Sequence, residues 1–263
     1  IDEISIDNNV FKLHYKVTGV LLIACSLLVT EKQYLGDPID CITDKVPSSL
    51  MDTYCWIHST YTVTNLSGLV VGVDIPHPGV APNFDNYSNT ERRYHKYYQW
   101  VTIVLFFQAL MFYTPRYLWK TWEGNKIKNL LMQLNTPILD DDVRNIRKQI
   151  LADYYLKNLH DHRGYTLKFF FCEFLNMINV VVQIYITDAF LGRTFSTYGS
   201  RVVEFSRQKF GMRHDPMDEI FPKVTKCTFH QYGPSGTIQR VDGLCVLPIN
   251  VLNEKIYIVL WFW

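Results

Sequence analysis

The motifs of several enzyme classes are absent from this sequence of 263 residues. It has no glycine-rich phosphate loop, no GxSxG, no HExxH and no paired CxxC. These absences argue against nucleotide hydrolysis, serine-hydrolase chemistry and zinc-dependent proteolysis. We therefore expect a protein that is not an enzyme, with no catalytic residues, no cofactor and no metal site.

Three short segments resemble metal sites only in part. Cys227 and His230 have zinc-like spacing, as do His160 and His162, but neither segment has a matching second pair. We expect Cys227 to form a disulfide rather than to bind a metal ion. The acidic triplet at 140–142 could bind a divalent cation, but we favour a solvated helix start, where the helix dipole stabilises carboxylates.

Charge is also scarce. Charged residues make up 19% of the sequence and the net charge is +1, so we expect no nucleic-acid partner. Apolar residues reach 48% and aromatic residues 15%, which is a high aromatic share for a soluble domain. Because charge is scarce, the chain contains long uncharged runs.

Residues 97–115 form an uncharged run of 19 residues, close to the roughly 20 apolar residues with which a helix crosses a bilayer. Tyrosine and tryptophan residues flank both ends, as in the aromatic belts of membrane helices. We expect Pro115 to kink this helix or mark its exit from the bilayer. The alternative is a buried helix of a large soluble protein.

Three further runs complete a four-span plan. Residues 17–32 contain 14 uncharged residues, and the flanking lysines can extend their reach to the membrane surface. Alone, that length would also suit a core helix or a signal segment. Residues 169–190 contain the third run. Residues 255–263 begin a fourth span that is cut off, so we expect a fragment that lacks both ends.

One face of the third predicted helix carries polar side chains at intervals of three, three and four residues. These residues are Glu173, Asn176, Asn179 and Gln183. Polar groups within a membrane span face other helices or water. The favoured interpretation is hydrogen bonding between helices, and the alternative is a wetted surface beside a pore.

Charge asymmetry predicts the topology. Residues 116–168 hold ten Lys/Arg and six Asp/Glu, whereas residues 33–96 hold four and seven by count. The positive-inside rule places 116–168 in the cytosol, together with the N-terminal segment 1–16. The segments 33–96 and 191–254 are then extracellular.

The two outer segments carry two cysteines each: Cys41 and Cys55 in the first, Cys227 and Cys245 in the second. Outside the cell we expect disulfides, and four cysteines allow three pairings. Cys25 and Cys172 lie within apolar runs and are expected to be free, packed thiols.

Local patterns predict further structure in these segments. Residues 52–63 are rich in β-branched and aromatic residues and predict a strand or an extended element. Residues 224–245 predict a hairpin that turns at 233–236. Residues 195–199 (FSTYG) are interpreted as aromatic and turn residues beside the hairpin. Asn65 and Asn86 each begin a possible N-glycosylation sequon.

The sequence YYQWV at the start of the second predicted helix resembles the signature of the innexins, the invertebrate gap-junction proteins. It consists of Tyr97, Tyr98, Gln99, Trp100 and Val101. Segments 34–42, 51–56, 115–124, 195–199 and 221–247 are also similar, so the resemblance covers essentially the whole chain.

This resemblance implies that Cys41 pairs with Cys245 and that Cys55 pairs with Cys227. It also implies a ring of subunits, homomeric or heteromeric, whose outer segments dock with a ring on a neighbouring cell. The expected location is the plasma membrane at gap junctions, in contact with membrane lipid. Two alternatives are an undocked, pannexin-like hemichannel that releases small metabolites and a pore-free tetraspan adhesion protein.

The expected fold is an all-α membrane protein with a four-helix transmembrane bundle whose fourth helix is truncated. A small disulfide-bonded extracellular α/β cap and a helical cytoplasmic loop complete it.

Overall fold

The computed structural model describes residues 6–64, 71–81, 92–131, 141–158, 162–207 and 215–263. The chain divides into two compact units. Residues 1–24 and 105–183 form the first, and residues 25–104 and 184–263 form the second.

Among the described residues, three helices are long and apolar enough to cross a membrane: α1 (Asn9–Tyr34), α3 (Val101–Glu123) and α6 (Arg163–Phe190). Many of their apolar side chains are exposed, including Phe106 and Phe174. A helix that exposes apolar groups over much of its surface is suited to lipid rather than water.

Helix α1 begins earlier than the predicted 17. Asn8 caps it, because the Asn8 side-chain oxygen accepts a hydrogen bond from the backbone N–H of Phe11 at 2.7 Å. Phe11 is buried, and a π-helical stretch at Leu13–Thr18 continues into Gly19–Tyr34. Lys12 and Lys16 are tolerated in the helix because neither is buried.

Helix α3 differs from the prediction at both ends. Tyr97–Gln99 forms a 3₁₀ turn before the helix, and Pro115 lies inside the helix, which continues to Glu123. Pro115 lacks the N–H that would bond to the carbonyl of Met111, and membrane helices tolerate such a proline inside the helix. The helix therefore extends past the predicted bound at 115, and the prediction that Pro115 kinks it or marks its exit from the bilayer stays a prediction.

The segment between α3 and α6 is helical where it is described, with α4 (Lys126–Leu131) and α5 (Asp141–Lys157). Helix α5 begins within the acidic triplet at 140–142, although residue 140 lies outside the described residues. Helix α6 begins at Arg163, ahead of the predicted 169.

The first unit has an aromatic core. Phe11, Trp119 and Cys172 are buried together, and Tyr165 and Phe169 pack against them. Beside this core, Arg116 forms a salt bridge of 2.8 Å with the buried carboxylate of Asp7. The start of the chain is therefore fixed against α3 by both apolar and ionic contacts.

The second unit contains a five-stranded antiparallel sheet in the order β1-β5-β4-β2-β3. The strands are β1 (Asp40–Ile42), β2 (Thr60–Val63), β3 (Arg92–His95), β4 (Val224–Tyr232) and β5 (Ile238–Val246). The predicted hairpin is β4 and β5. Because of this sheet the chain is mostly helical rather than all-α.

Four helices accompany the sheet: α2 (Ser48–His58), α7 (Phe195–Arg207), α8 (Pro216–Ile220) and α9 (Pro248–Phe262). They correct three expectations. Residues 52–58 are helical rather than extended, FSTYG begins a helix, and the last helix starts at Pro248 rather than 255. Proline is favoured in the first turn of a helix, where its missing N–H costs no hydrogen bond.

Candidate functional site

Two disulfides hold the second unit together. The register of β1 and β5 places Cys41 opposite Cys245, and these residues are bonded. The second bond joins Cys55 on α2 to Cys227 on β4. This is the pairing that the family resemblance implies, and we call the bonded assembly of α2 and the sheet the cap.

Helix α2 packs on the sheet through one face. Met51 and Cys55 are four residues apart, so they share that face, and both are fully buried. A Cβ atom on Gly243 would lie 2.5 Å from the end of the Met51 side chain, so glycine permits this close approach. Of the strand predicted at 52–63, residues 52–58 are helical, because burial of this face and the bond to Cys227 override local β-propensity, whereas Thr60–Val63 forms β2.

The sulfur atoms of Cys41, Cys55 and Cys245 lie within 4.8 Å of one another. Such proximity resembles a metal cluster, but each of these sulfurs already belongs to a disulfide. A disulfide sulfur is not the thiolate that binds metal. The two bonds are therefore neighbours in one buried layer.

The signature residues fasten the entrance of α3 to the cap. Tyr98 donates to the carbonyl of Cys55 at 3.2 Å, and Gln99 donates to the carbonyl of Trp56. Tyr97 donates to the side-chain oxygen of Asn250 at 3.1 Å. The side chains of the motif therefore form tertiary hydrogen bonds. The helix begins at Val101 instead of the predicted residue 97.

A cluster of charged side chains links α9 to the residues that precede β4. The ammonium of Lys223 lies 3.0 Å from Asp218 and 3.2 Å from the buried carboxylate of Glu254. Burial alone would lower the pKa of Lys223, but the hydrogen bonds and charges of Asp218 and Glu254 outweigh it and raise this pKa. Lys223 is therefore held in its charged form.

His95 is a second buried ionisable group in this unit. Its Nε2 lies 2.8 Å from the hydroxyl of Thr62, and the residue is 3% exposed. Burial, with a smaller contribution from the charge of Arg93, lowers the pKa of His95 to about 4. The imidazole is therefore neutral at physiological pH.

The polar face of α6 lies in the first unit. Asn176, Asn179 and Gln183 are buried, and Gln183 donates to Asn179 at 3.3 Å. Glu173 is half-buried and accepts a hydrogen bond from Asn8. Burial within the single chain is what the helix-packing interpretation of this face requires.

The remaining predicted positions fall into two groups. Asn65, Asn86 and His160 lie outside the described residues. Cys25 and Cys172 are buried free thiols, as predicted. The cap side chains Tyr61, Arg92 and Arg240 come from three strands and form no linear motif, so no sequence pattern indicates them.

Comparison with known proteins gives one consistent family. A family model described as Innexin matches residues 7–263. Innexin inx2 of Drosophila melanogaster is 57% identical over 263 residues, which cover all of this chain and 71% of that protein. Innexin inx2 of Schistocerca americana is 56% identical and is 73% covered. Innexin shaking-B of Drosophila melanogaster is 44% identical and is 70% covered.

Proposed function

Because this chain belongs to the innexin family, whose members form gap-junction channels, we propose that it is one subunit of an oligomeric large-pore channel. The channel passes ions and small molecules between adjacent cells. Selection in such a pore depends on its diameter and the charge of its wall rather than on a tight coordination site.

The observation that carries this proposal is the pair of disulfides between distant segments. Cys41–Cys245 and Cys55–Cys227 join residues 204 and 172 positions apart. Segments joined covalently lie on the same side of a membrane, so an even number of spans separates them. Helices α3 and α6 supply two.

Oxidising conditions and the charge asymmetry orient the chain. Disulfides persist outside the cell, and the basic 116–168 segment is expected inside. We therefore assign segment 1–16 to the cytosol and segments 33–96 and 191–254 to the exterior. Helices α1, α3 and α6 are three spans, and α9 begins the fourth span of the bundle.

The cap is the proposed docking element. Two disulfides restrict its conformations, so it can meet another surface without a large ordering cost. Subunits form a closed ring around the pore, as cyclic symmetry requires, and the caps of two apposed rings meet between the cells. The buried polar face of α6 stabilises helix packing within each subunit.

Paired-cell electrical recording of the full-length protein tests this function. We expect conductance between two expressing cells and none when one partner lacks the protein. If paired cells show no coupling and the protein conducts no current in a planar bilayer, a pore-free adhesion protein is the better description.

A second candidate function is an undocked hemichannel that releases small metabolites. The sequons at Asn65 and Asn86 motivate it, because a glycan on the docking face would keep rings apart. Enzymatic removal of glycans should then create cell-to-cell dye transfer that untreated cells lack. Dye transfer that is the same before and after treatment argues for the junctional channel instead.

A further inference from the structure

The cap contains a recess of about 750 Å³. Side chains from β2, β3, β4, β5 and the end of α2 line it. Small-molecule sites in proteins commonly enclose about 300–1,000 Å³, so the recess is large enough for a ligand with more than one charged group.

Strand register gathers the lining residues. Thr228 pairs with Asp242 and His230 with Arg240, so these four side chains share one face of the β4–β5 hairpin. Strands β2 and β4 pair at Tyr61 and Lys226. The recess is thus formed by the fold, since its residues are far apart in sequence.

Positive charge dominates the lining. Arg92, Lys96 and Arg240 contribute three cations, against the single carboxylate of Asp242. That carboxylate already accepts a hydrogen bond from the Thr228 hydroxyl at 3.2 Å. Across the described part of the chain, none of the three cations forms a salt bridge.

Aromatic groups and hydroxyls complete the site. The guanidinium of Arg92 lies 5.0 Å from the centre of the Tyr61 ring, which restrains its position. The hydroxyl of Tyr61 lies 3.1 Å from that of Thr228. Donors from arginine, lysine and hydroxyl groups therefore face a common space.

We propose that this recess binds a phosphate-bearing anion. Two guanidinium groups match phosphate oxygens with paired hydrogen bonds, and lysine adds a point charge. The phosphate can come from a lipid headgroup or from a soluble compound. A headgroup is accessible because Lys96 directly precedes the turn Tyr97–Gln99 that leads into the membrane helix α3.

The test measures binding of inorganic pyrophosphate to the full-length protein in nanodiscs of phosphatidylcholine. The variant combines Arg92→Gln with Arg240→Gln, and Arg207→Gln is the control, because Arg207 is exposed on the same unit but outside the recess. We expect saturable binding to the wild type that weakens about tenfold or more in the double variant, because that variant loses two charged hydrogen-bond donors. The control should bind as the wild type does.

Nanodiscs that also contain phosphatidic acid separate the two sources. If phosphatidic acid competes with pyrophosphate for the wild type, the occupant is a lipid headgroup. If phosphatidic acid does not compete, the occupant is a soluble ligand. Size-exclusion chromatography confirms that the variants keep the wild-type assembly, and Lys96→Gln offers a milder change at the same recess.

Three results would overturn the proposal. One is no saturable binding of either pyrophosphate or phosphatidic acid. Another is equal affinity in the wild type and the double variant. A third is a double variant that no longer forms oligomers but binds pyrophosphate as tightly as the wild type does. That result would mean that the recess holds a neighbouring subunit. None of these results depends on conductance, so they are independent of the channel assignment.

Discussion

At the scale of single residues, Gly199 shows how closely helices α7 and α9 pack. A Cβ atom at this position would lie 2.1 Å from ring carbons of Trp261. The Trp261 indole also donates to the carbonyl of Ser196 at 3.2 Å, so the ring has little freedom to move away. A methyl group therefore cannot be added without separating the helices.

We predict that Gly199→Ala lowers the free energy of unfolding by about 1–3 kcal/mol, the usual cost of overpacking. Thermal unfolding followed by size-exclusion chromatography measures the effect. Gly164→Ala is the matched control, because a Cβ at this helical glycine meets nothing within 4 Å. Equal melting of the two variants would contradict the packing argument.

His95 predicts a pH dependence of stability. Its pKa falls from 6.5 to about 4 on folding, so between these values the unfolded chain binds a proton that the folded chain does not. The contribution of His95 to the free energy of unfolding is therefore complete above about pH 6.5. It is lost as the pH falls towards 4, and the loss reaches up to about 3 kcal/mol.

Replacement of His95 by Gln should flatten this part of the stability profile. Chemical unfolding at a series of pH values between 7 and 4.5 measures the slope. His230→Gln serves as the control, since His230 is exposed and its change should leave the slope as in the wild type. A slope that survives the loss of His95 would assign the titration to another group.

At the scale of secondary-structure elements, strand β1 depends on a covalent bond. It has three residues and, among the described strands, pairs with β5 alone, where Cys41 is bonded to Cys245. A strand this short at a sheet edge contributes few hydrogen bonds, so the disulfide is a strong restraint on it.

We predict that Cys41→Ser abolishes junctional conductance, because loss of the bond releases the edge of the cap. Removal of a native disulfide costs about 2–5 kcal/mol. Paired-cell recording with surface biotinylation separates loss of docking from loss of delivery. Cys25→Ala, which removes a free thiol, should retain coupling, and wild-type coupling in Cys41→Ser would refute the role of the bond.

The same elements show how far sequence reasoning reaches. The hairpin and the three long apolar helices follow from periodicity and hydrophobic length, which are local properties. The boundaries do not, because tertiary contacts decide them: Tyr97 and Tyr98 bond across the fold, and the start of α3 shifts to Val101. The helical state of α2 likewise depends on burial of Cys55 against β4, a partner 172 residues away.

The cap recess marks a further limit. Its cations come from β3, from β5 and from the link that follows β3, so no spacing along the chain could reveal it. By contrast, the four outer cysteines were visible as candidates at once. Their pairing needed the family resemblance, since spacing alone allows three arrangements.

At the scale of the whole molecule, the proposed topology makes opposite predictions for two exposed lysines. In this topology Lys45 belongs to the outer segment 33–96 and Lys148 to the inner segment 116–168, and both side chains are exposed. We predict that a membrane-impermeant amine reagent applied to intact cells modifies Lys45 and not Lys148, as read by mass spectrometry. Permeabilised cells should show both modifications.

The reverse pattern, with Lys148 modified in intact cells and Lys45 protected, would place the cap in the cytosol. Docking between cells would then be impossible for this chain, whatever its family.

The closeness of three cystine sulfurs, within 4.8 Å, has a consequence for how the cap responds to reductants. A thiolate released from either bond finds the other bond beside it, which is the arrangement for thiol–disulfide exchange. Mild reduction should therefore shuffle the partners, for instance to Cys55–Cys245, rather than open one bond alone. The two crosslinks consequently fail together, and the cap behaves as a single redox-sensitive unit.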